Sequence, residues 1–266
     1  MPPVPSPTPL AGGTGRWLAP GGLVAAGLVV WEAAVRTAET PTWLLPAPSV
    51  VARTLWIDRG LLAGHATVTL AEIGIGFALA LVLGVLLGAA IDASVVLARA
   101  LYPLVVASQT VPIPALSPLL LIWLGHGLGP KVVVTALVAF FPIVVGTVDG
   151  LRATDREVLA LLRSLGAGRW ARFRLARLPQ ALPSVFSGAR VAVAVSVIGA
   201  VFGELVGAEA GLGYLLTRST AQFQTARVFA AIVVLSAIGI GLFALVALAE
   251  RVLLPWRRWT TDDGTR

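Results

Sequence analysis

Long apolar stretches alternate with short polar segments along this chain of 266 residues. A helix needs about 20 predominantly apolar residues to cross the hydrocarbon core of a bilayer. Six stretches approach that length, and they cover residues 17–35, 67–91, 101–124, 132–148, 185–206 and 228–248. The pattern therefore predicts an all-α polytopic membrane protein with six transmembrane helices.

The two ends of the chain depart from this pattern. Residues 1–15 are rich in Pro and Gly and lack apolar periodicity, which is typical of a disordered tail. We expect one membrane domain at residues 16–259 and a second short tail at residues 260–266. An amphipathic helix at residues 50–62 is predicted to lie at the membrane surface between the first two spans.

The third apolar stretch is unlike the others, because it contains four prolines and the polar triplet Ser108, Gln109 and Thr110. Proline removes a backbone hydrogen bond and clashes with the preceding helical turn. A broken helix survives in a bilayer only where protein or a water-lined cavity satisfies the freed carbonyl groups. Two interpretations remain open: a helix that lines a translocation path, and a kinked helix whose amide side chain bonds to a neighbour.

The longest polar segment lies between the fourth and fifth stretches, at residues 154–183. Thr154 and Glu157 have the spacing of a capping box, which predicts the start of a helix. Leu161 and Leu162 belong to an apolar stripe at helical spacing. Gly166 follows this stripe, at the place where a helix often ends in the left-handed conformation that glycine adopts without steric cost.

A second short amphipathic helix is predicted next. Trp170, Phe173 and Leu178 stand among arginines along it, and Pro179 and Pro183 are expected to end it. The segment therefore predicts a basic helix-turn-helix between two membrane spans. The alternative is an ordinary basic loop that is held to anionic lipid by its arginines.

Composition supports a membrane protein and excludes several kinds of site. Only 12% of the residues are charged, against about 25% in soluble domains. There is no cysteine, which excludes disulfides and thiolate metal sites, and the two histidines, His65 and His126, are far apart in sequence. Lys131 is the only lysine, and the GxxxxGK[ST] sequence that cradles ATP phosphates is missing. We expect no metal, cofactor or catalytic residue on this chain.

The distribution of basic residues predicts the orientation. The net charge is +7, and in a membrane protein such an excess indicates cytoplasmic loops instead of a nucleic-acid surface. With six spans and both termini inside, roughly 13 of the 20 basic residues fall in cytoplasmic segments. The polar segment at residues 154–183 is then cytoplasmic.

Glu72 and Glu204 are the most deeply placed acidic residues within the predicted spans. Ionisable groups inside a membrane often mark substrate or ion paths. Each of the two is predicted near the outer end of its span, so we expect interfacial solvation, with a role in the substrate path as the alternative. We expect no pair of buried carboxylates.

The polar segment resembles the cytoplasmic coupling loop of ABC importer permeases. The spacing of that loop is EAA, three residues, Gly, nine residues, Ile, one residue and Leu-Pro, and here Gly166, Leu178 and Pro179 stand at the matching positions. Ala176 occupies the Ile position. The triplet is Ala160–Leu162, so the glutamate of the pattern is absent.

Over the whole of residues 40–259, the chain resembles permeases of the nitrate, sulfonate and taurine importers. The sequences IGAVFGELVGAEAGLGYLL and LAERVLLPW are more similar to permeases for thiamine pyrimidine precursors or riboflavin. The resemblance implies a type I importer fold with a coupling loop at residues 152–183. It also implies that this chain provides the path and the coupling and is not an enzyme.

The resemblance also implies binding partners, a cellular location and the residues of two sites. We expect a second permease copy, two cytoplasmic ATPase subunits that carry ATP and Mg²⁺, an extracytoplasmic substrate-binding protein and a bacterial inner membrane as surroundings. The implied ATPase-coupling residues are Leu161, Leu162, Gly166, Ala167, Trp170, Phe173, Leu178 and Pro179. The candidates for the translocation path are Ser108, Gln109, Thr110 and Glu204. An ion-coupled secondary transporter or channel is the alternative, and it would show internal repeats and ionisable residues at mid-membrane.

Overall fold

The computed structural model describes residues 15–256, which are almost entirely helical and include no strand. The helices run in the order α1 Gly15–Thr37, α2 Pro48–Ile57, α3 Arg59–Ala93, α4 Val95–Ser108, α5 Ile113–Leu124, α6 Leu128–Arg152, α7 Arg156–Ser164, α8 Arg169–Arg172, a π-helical turn at Phe173–Arg177, α9 Leu178–Glu204, α10 Leu212–Ala221 and α11 Thr225–Leu253. The predicted all-α class is confirmed. The tails predicted at residues 1–15 and 260–266 lie outside the described residues, apart from Gly15, which begins α1.

Four helical runs in the described part of the chain are long and apolar enough to cross a membrane. They are α3, α6, the run from α8 through α9 at Arg169–Glu204, and α11. A fifth span arises if α4 and α5, which meet at an angle of 100°, are counted as one. The first predicted span corresponds to α1, and the count of six remains a prediction.

The core of the bundle is a block of three helices, α3, α6 and α9, which we call the α3–α6–α9 block. Glycines let its backbones approach closely, as small residues do in membrane helices generally. On α3, a Cβ at Gly84 would lie 2.8 Å from a methyl carbon of Ile143, and one at Gly88 would lie 2.6 Å from Thr147. On α6, a Cβ at Gly150 would lie 2.7 Å from the carbonyl oxygen of Ala181. The block therefore has no room for larger residues at these positions.

The start of the second span differs from the prediction. The amphipathic helix expected at residues 50–62 ends at Ile57, and α3 begins directly afterwards at Arg59 and runs for 35 residues. Asp58 separates the two helices and receives a hydrogen bond of 2.7 Å from Arg227. This bond fixes the junction to the start of α11 and lets α3 begin eight residues earlier than the apolar stretch indicated.

The prolines expected to end the second coupling helix do not end it, so that prediction was wrong. The helical run passes Pro179 and Pro183 and continues to Glu204. Just before Pro179, the backbone N–H of Leu178 donates to the carbonyl of Phe173, five residues earlier. A π-helical turn is wider than an α-helical one. Its altered bonding pattern accommodates a proline that would otherwise break the helix.

A second apolar cluster lies at the end of the bundle where α9 finishes, opposite residues 152–183. Leu212 and Leu215 of α10 are buried there against Ala230 and Ala231 of α11 and Leu62 of α3. We call this the distal end and the other the coupling end. α10 is thus a packed element of the distal end, between the apolar stretches at residues 185–206 and 228–248.

Candidate coupling and translocation sites

The first helix of the coupling segment, residues 152–183, is capped by Asp155 and not by Thr154. The carboxylate of Asp155 accepts a hydrogen bond of 2.8 Å from the backbone N–H of Glu157. Thr154 is buried, and its hydroxyl donates to the carbonyl of Leu151 at 3.1 Å. The predicted capping box of Thr154 and Glu157 was therefore wrong, and the N-cap is the next residue, Asp155. Thr154 instead finishes α6, and the helix predicted to follow it does form, as α7.

Gly166 ends α7 as predicted, with a φ of +77°. The N–H of Ala167 donates to the carbonyl of Leu162, and that of Gly166 donates to the carbonyl of Arg163, both at 2.9 Å. This is the bonding pattern of a Schellman motif, which satisfies carbonyls that a helix end leaves unpaired. A Cβ at Gly166 would meet no neighbour within 4 Å, so only its backbone conformation favours glycine here.

The predicted coupling residues form an apolar surface on the coupling segment. Leu161, Leu165 and Trp170 are 60%, 73% and 71% exposed, and Trp170 stacks on Phe173 with ring centroids 5.7 Å apart. Leu162, Ala167, Phe173 and Pro179 are half-buried, and Leu178 is 39% exposed at the start of α9. Exposed apolar patches with polar rims are characteristic of protein interfaces. Arginines supply the polar rim on both helices.

Arg177 adds side-chain hydrogen bonds between the coupling segment and two helices of the α3–α6–α9 block. Arg177 donates to the carboxylate of Asp92 at the end of α3 at 2.9 Å, and to the carbonyl of Leu151 in α6 at 3.2 Å. The side chain of Gln180 accepts from the N–H of Asp155 at 3.3 Å. A displacement of this segment therefore acts directly on α3, α6 and α9.

The broken span places its polar triplet at the bend between α4 and α5. The hydroxyls of Ser108 and Thr110 donate to the carbonyls of Val105 and Ala107, at 2.7 and 2.8 Å, and so satisfy groups that the break frees. Gln109 is exposed. A cavity of about 270 Å³ opens at the bend, lined by Ser108, Gln109, Val111, Ile113, Leu116, Leu137 and Val138. Ser108 and Gln109 thus line one cavity, and Thr110 is not among its lining residues.

Glu204 is not solvated at the interface, and it does not line that cavity. Its side chain is buried, with 1% exposure for the residue, and its carboxylate accepts from the Thr69 hydroxyl at 2.6 Å and from the backbone N–H of Gly213. Glycine is required opposite it, since a Cβ at Gly211 would collide with the carboxylate. The expected interfacial solvation of Glu204 was therefore wrong.

Three consecutive backbone N–H groups at the start of α10 are each bound by a side chain from another helix. Gly211 donates to Nδ1 of His65 at 3.0 Å, Leu212 donates to the hydroxyl of Thr69 at 2.8 Å, and Gly213 donates to Glu204. The first N–H groups of a helix have no partner within the helix. His65, Thr69 and Glu204, which we call the α10 clamp, supply the partners and fix α10 to α3 and α9.

An ion pair lies beside the clamp. Glu72 is completely buried, and the Lys131 ammonium lies 3.0 Å from its Oε1 atom. The charges of Glu72 and Glu204 are close enough to interact. The expectation of no buried carboxylate pair was thus wrong, because hydropathy indicates depth in a span but not which face packs inward. The signal that could have revealed the pair is the spacing of His65, Thr69 and Glu72, which puts them on one face of α3.

The described residues contain no group of three or more His, Asp or Glu side chains that could hold a metal ion. The polar atoms of the clamp bind backbone N–H groups and, between Thr69 and Glu204, each other, while the neighbouring Glu72 pairs with one ammonium group. The arrangement at the distal end is therefore one of packing and charge compensation.

Comparison with known proteins agrees with these features. Residues 80–254 match the model of a family described as the binding-protein-dependent transport system inner membrane component. The formylaminopyrimidine transport permease protein ThiX of Halalkalibacterium halodurans is 44% identical over 232 residues, which cover 87% of this chain and 92% of the relative. The riboflavin transport system permease protein RibX of Chloroflexus aurantiacus is 38% identical over 231 residues, covering 86% of each chain.

A more distant relative and a solved structure extend the comparison. The putative aliphatic sulfonates transport permease protein SsuC of Bacillus subtilis is 30% identical over 232 residues, covering 86% of this chain and 84% of the relative. A structure of the MetNI methionine ABC transporter in an inward-facing conformation has the same fold, with a TM-score of 0.59 at 20% identity, over 79% of this chain and 97% of that one. The chain belongs to the family of binding-protein-dependent transport system inner membrane components, the ABC importer permeases that form the non-catalytic membrane subunit while a separate subunit hydrolyses ATP.

Proposed function

We propose that this permease imports a pyrimidine precursor of thiamine. The observation that carries the proposal is the 44% identity to a formylaminopyrimidine permease along 92% of that protein. Riboflavin is the second candidate, since the riboflavin permease is 38% identical over a similar length. Sulfonates and taurine, whose permeases are 30% and 28% identical, are the weaker alternative within the family. Membership of the family argues against an ion-coupled transporter or channel.

The proposed assembly follows the requirements of such an importer. Two permease copies would form the path, two cytoplasmic ATPase subunits with ATP and Mg²⁺ would bind the coupling ends, and a binding protein would deliver the solute at the distal end. The excess of basic residues at the coupling end supports a cytoplasmic position for it, with both termini inside a bacterial inner membrane. The exposed Leu161, Leu165 and Trp170 would enter the ATPase surface.

Coupling would proceed through contacts of this chain. When the ATPase subunits close on ATP, they would move α7 and α8. α8 continues through the π-helical turn into α9 without interruption, and Arg177 connects the same turn to α3 and α6. The α3–α6–α9 block would then move as a unit against the broken span, whose bend at Gln109 would line the path. Glu204, first considered for the path, would instead hold α10.

Replacement of Gly166 tests the coupling role. Gly166→Val places a β-branched residue at φ +77°, which costs about 1 kcal/mol or more relative to glycine and redirects the chain into α8. Gly168→Val is the matched control, because Gly168 has φ −66° and open space around it. We expect Gly166→Val to insert normally but to lose co-purifying ATPase and uptake, while Gly168→Val keeps both. Full ATPase association and uptake in Gly166→Val would remove the coupling role.

Uptake assays distinguish the candidate substrates. The permease, its ATPase and its binding protein would be reconstituted in proteoliposomes and supplied with labelled formylaminopyrimidine, riboflavin or taurine. We expect ATP-dependent uptake of formylaminopyrimidine and little uptake of the other two. ATP-dependent uptake of riboflavin alone would favour the second candidate and leave the assignment as a permease intact.

A further inference from the structure

A small polar cleft at the distal end is not used by the coupling segment, by the broken span or by the contacts of the α10 clamp. It has a volume of about 190 Å³ and lies among the starts of α3 and α11 and the exposed side of α10. Its lining consists of Leu61, His65, Leu215, Arg218, Ser219, Gln222 and Arg227. Two arginines, a histidine and a serine thus face one small space.

Ser219 provides the first indication of a ligand. The residue is 1% exposed, and its hydroxyl oxygen has no hydrogen-bond partner within the described part of the chain. A buried hydroxyl without a partner costs roughly 1–3 kcal/mol, so such groups are rare in native structures. The two threonine hydroxyls of α10, on Thr217 and Thr220, donate to backbone carbonyls four residues earlier. Ser219 is therefore a buried, unpartnered polar residue in the wall of the cleft.

His65 adds a donor of fixed position. Its Nδ1 accepts from the backbone N–H of Gly211. In a neutral imidazole one ring nitrogen accepts and the other carries the proton. The proton of His65 is therefore on Nε2, and the ring that lines the cleft keeps this N–H as its unused donor.

The charge of the cleft is positive. Arg227 is compensated by Asp58 at 2.7 Å, and its other contact is the side chain of Gln224. Arg218 donates to the hydroxyl of Tyr214 at 3.2 Å, and no carboxylate of the described residues forms an ion pair with it. The nearby carboxylate of Glu204 is occupied by Thr69 and Gly213. Arg218, Ser219 and His65 therefore present donors together with one uncompensated positive charge.

The size of the cleft limits what can occupy it. Pockets that enclose a whole small-molecule ligand have volumes of about 300–1,000 Å³. At about 190 Å³ the cleft lies below this range, which favours one polar group of a larger partner over a whole small molecule. Carboxylates accept the paired hydrogen bonds that a guanidinium group offers. We infer that this cleft is a docking site for the carboxylate of an Asp or Glu side chain on the substrate-binding protein. The inference rests on the proposed function, which places a binding protein at this end.

Substitutions in the cleft test the inference without disturbing the bundle. The complete permease–ATPase complex in nanodiscs would be titrated with the binding protein at low and high salt. Loss of a charge-assisted bond predicts at least about tenfold weaker binding for Arg218→Gln, and a smaller loss for Ser219→Ala. Raising the salt should weaken wild-type binding more than Arg218→Gln binding. Arg53→Gln, at an exposed arginine of α2 outside the cleft, is the control and should bind like wild type.

Charge reversal provides the decisive outcome. Arg218→Glu should abolish docking, and an Asp or Glu on the binding protein changed to Arg should restore it. If Arg218→Gln and Ser219→Ala bind the binding protein like wild type, the inference is overturned. A second outcome also overturns it: free acetate or phosphate stabilises wild type through Arg218, but docking of the binding protein does not depend on Arg218. The cleft would then be a small-anion site. Failure of the wild-type complex to import with any binding protein would instead remove the proposed function itself.

Discussion

The α3–α6–α9 block and the broken span α4–α5 lie side by side, but their helices make contact in different ways. In the block, glycines bring backbones together: a Cβ at Gly199 would lie 2.9 Å from the Cα of Thr135, and one at Gly203 would lie 2.9 Å from that of Lys131. The broken span contains no glycine between residues 95 and 124. Most of its large side chains remain exposed, with Ile122 at 76% and Trp123 at 70%.

This difference indicates which part can move. Backbones in near contact cannot slide past one another without collisions, so α3, α6 and α9 must shift together. The broken span is joined to the block by a few residues, such as Val105 against Val144 and Val148. Its bend, polar triplet and cavity lie where relative motion is least restricted. Substitutions that act differently on the two regions test this division.

The largest effect is expected from a side chain placed inside the block. A Cβ at Gly188 would collide with the carbonyl oxygen of Pro142 on α6. Gly188→Leu should therefore destabilise the protein by about 3 kcal/mol, the upper end of the usual range for overpacking. Thermal unfolding of the purified chain would show a large fall in midpoint. Gly74→Leu, at a glycine of α3 with no neighbour within 4 Å, should unfold like wild type. Equal behaviour of the two variants would contradict the rigid block.

The α10 clamp is expected to give the next largest effect. Thr69→Val has almost the same shape but leaves the N–H of Leu212 and one oxygen of Glu204 without their partner. Leaving such buried groups unpaired costs about 2 kcal/mol. Thr69→Ser keeps the hydroxyl and should unfold near the wild-type temperature. Faster hydrogen exchange at residues 211–213 in Thr69→Val, but not in Thr69→Ser, would locate the loss at the start of α10.

The sequence predicted the helical class, the break in the third span and the left-handed Gly166, because each depends on local chemistry. The length of an apolar stretch indicates a membrane span, a proline indicates a missing backbone hydrogen bond, and a glycine after an apolar stripe indicates the end of a helix. These signals need no knowledge of the neighbouring helices. These signals predicted which helices exist better than they predicted the residues at which each helix begins and ends.

The burial of Glu72 and Glu204 could not be predicted in the same way, because it depends on long-range contacts. Lys131, which compensates Glu72, lies on α6, and the N–H group that binds Glu204 belongs to Gly213 of α10. The sequence alone does not reveal that α3, α6, α9 and the start of α10 converge at one point. The π-helical turn before Pro179 likewise shows how a local rule for proline fails when the backbone rearranges beside it.

A moderate effect is expected where the block meets the coupling segment. Asp92→Asn keeps the size of the side chain but removes the charge that pairs with Arg177 at 2.9 Å. The pair is only partly buried, so we expect a loss of about 1 kcal/mol in stability. The more informative result is functional: ATP hydrolysis should continue while uptake per ATP falls. Unchanged coupling would show that α8 and α9 transmit the movement without Arg177.

The smallest effect on stability is expected in the broken span, at Gln109. The side chain is exposed at the bend, and its amide group forms no hydrogen bond with any residue that the structure describes, so Gln109→Leu should change stability by no more than about 0.5 kcal/mol. Its effect should appear in transport, because leucine would line the cavity of about 270 Å³ with a methyl surface in place of an amide. Uptake should fall at equal membrane levels, with ATPase association unchanged.

Thr110→Val is the companion variant: the Thr110 hydroxyl donates to Ala107 and does not line the cavity, so uptake should stay closer to wild type. Wild-type uptake in Gln109→Leu would leave the broken span as a packing element, and an equal loss in both variants would show that the path extends beyond the cavity at the bend.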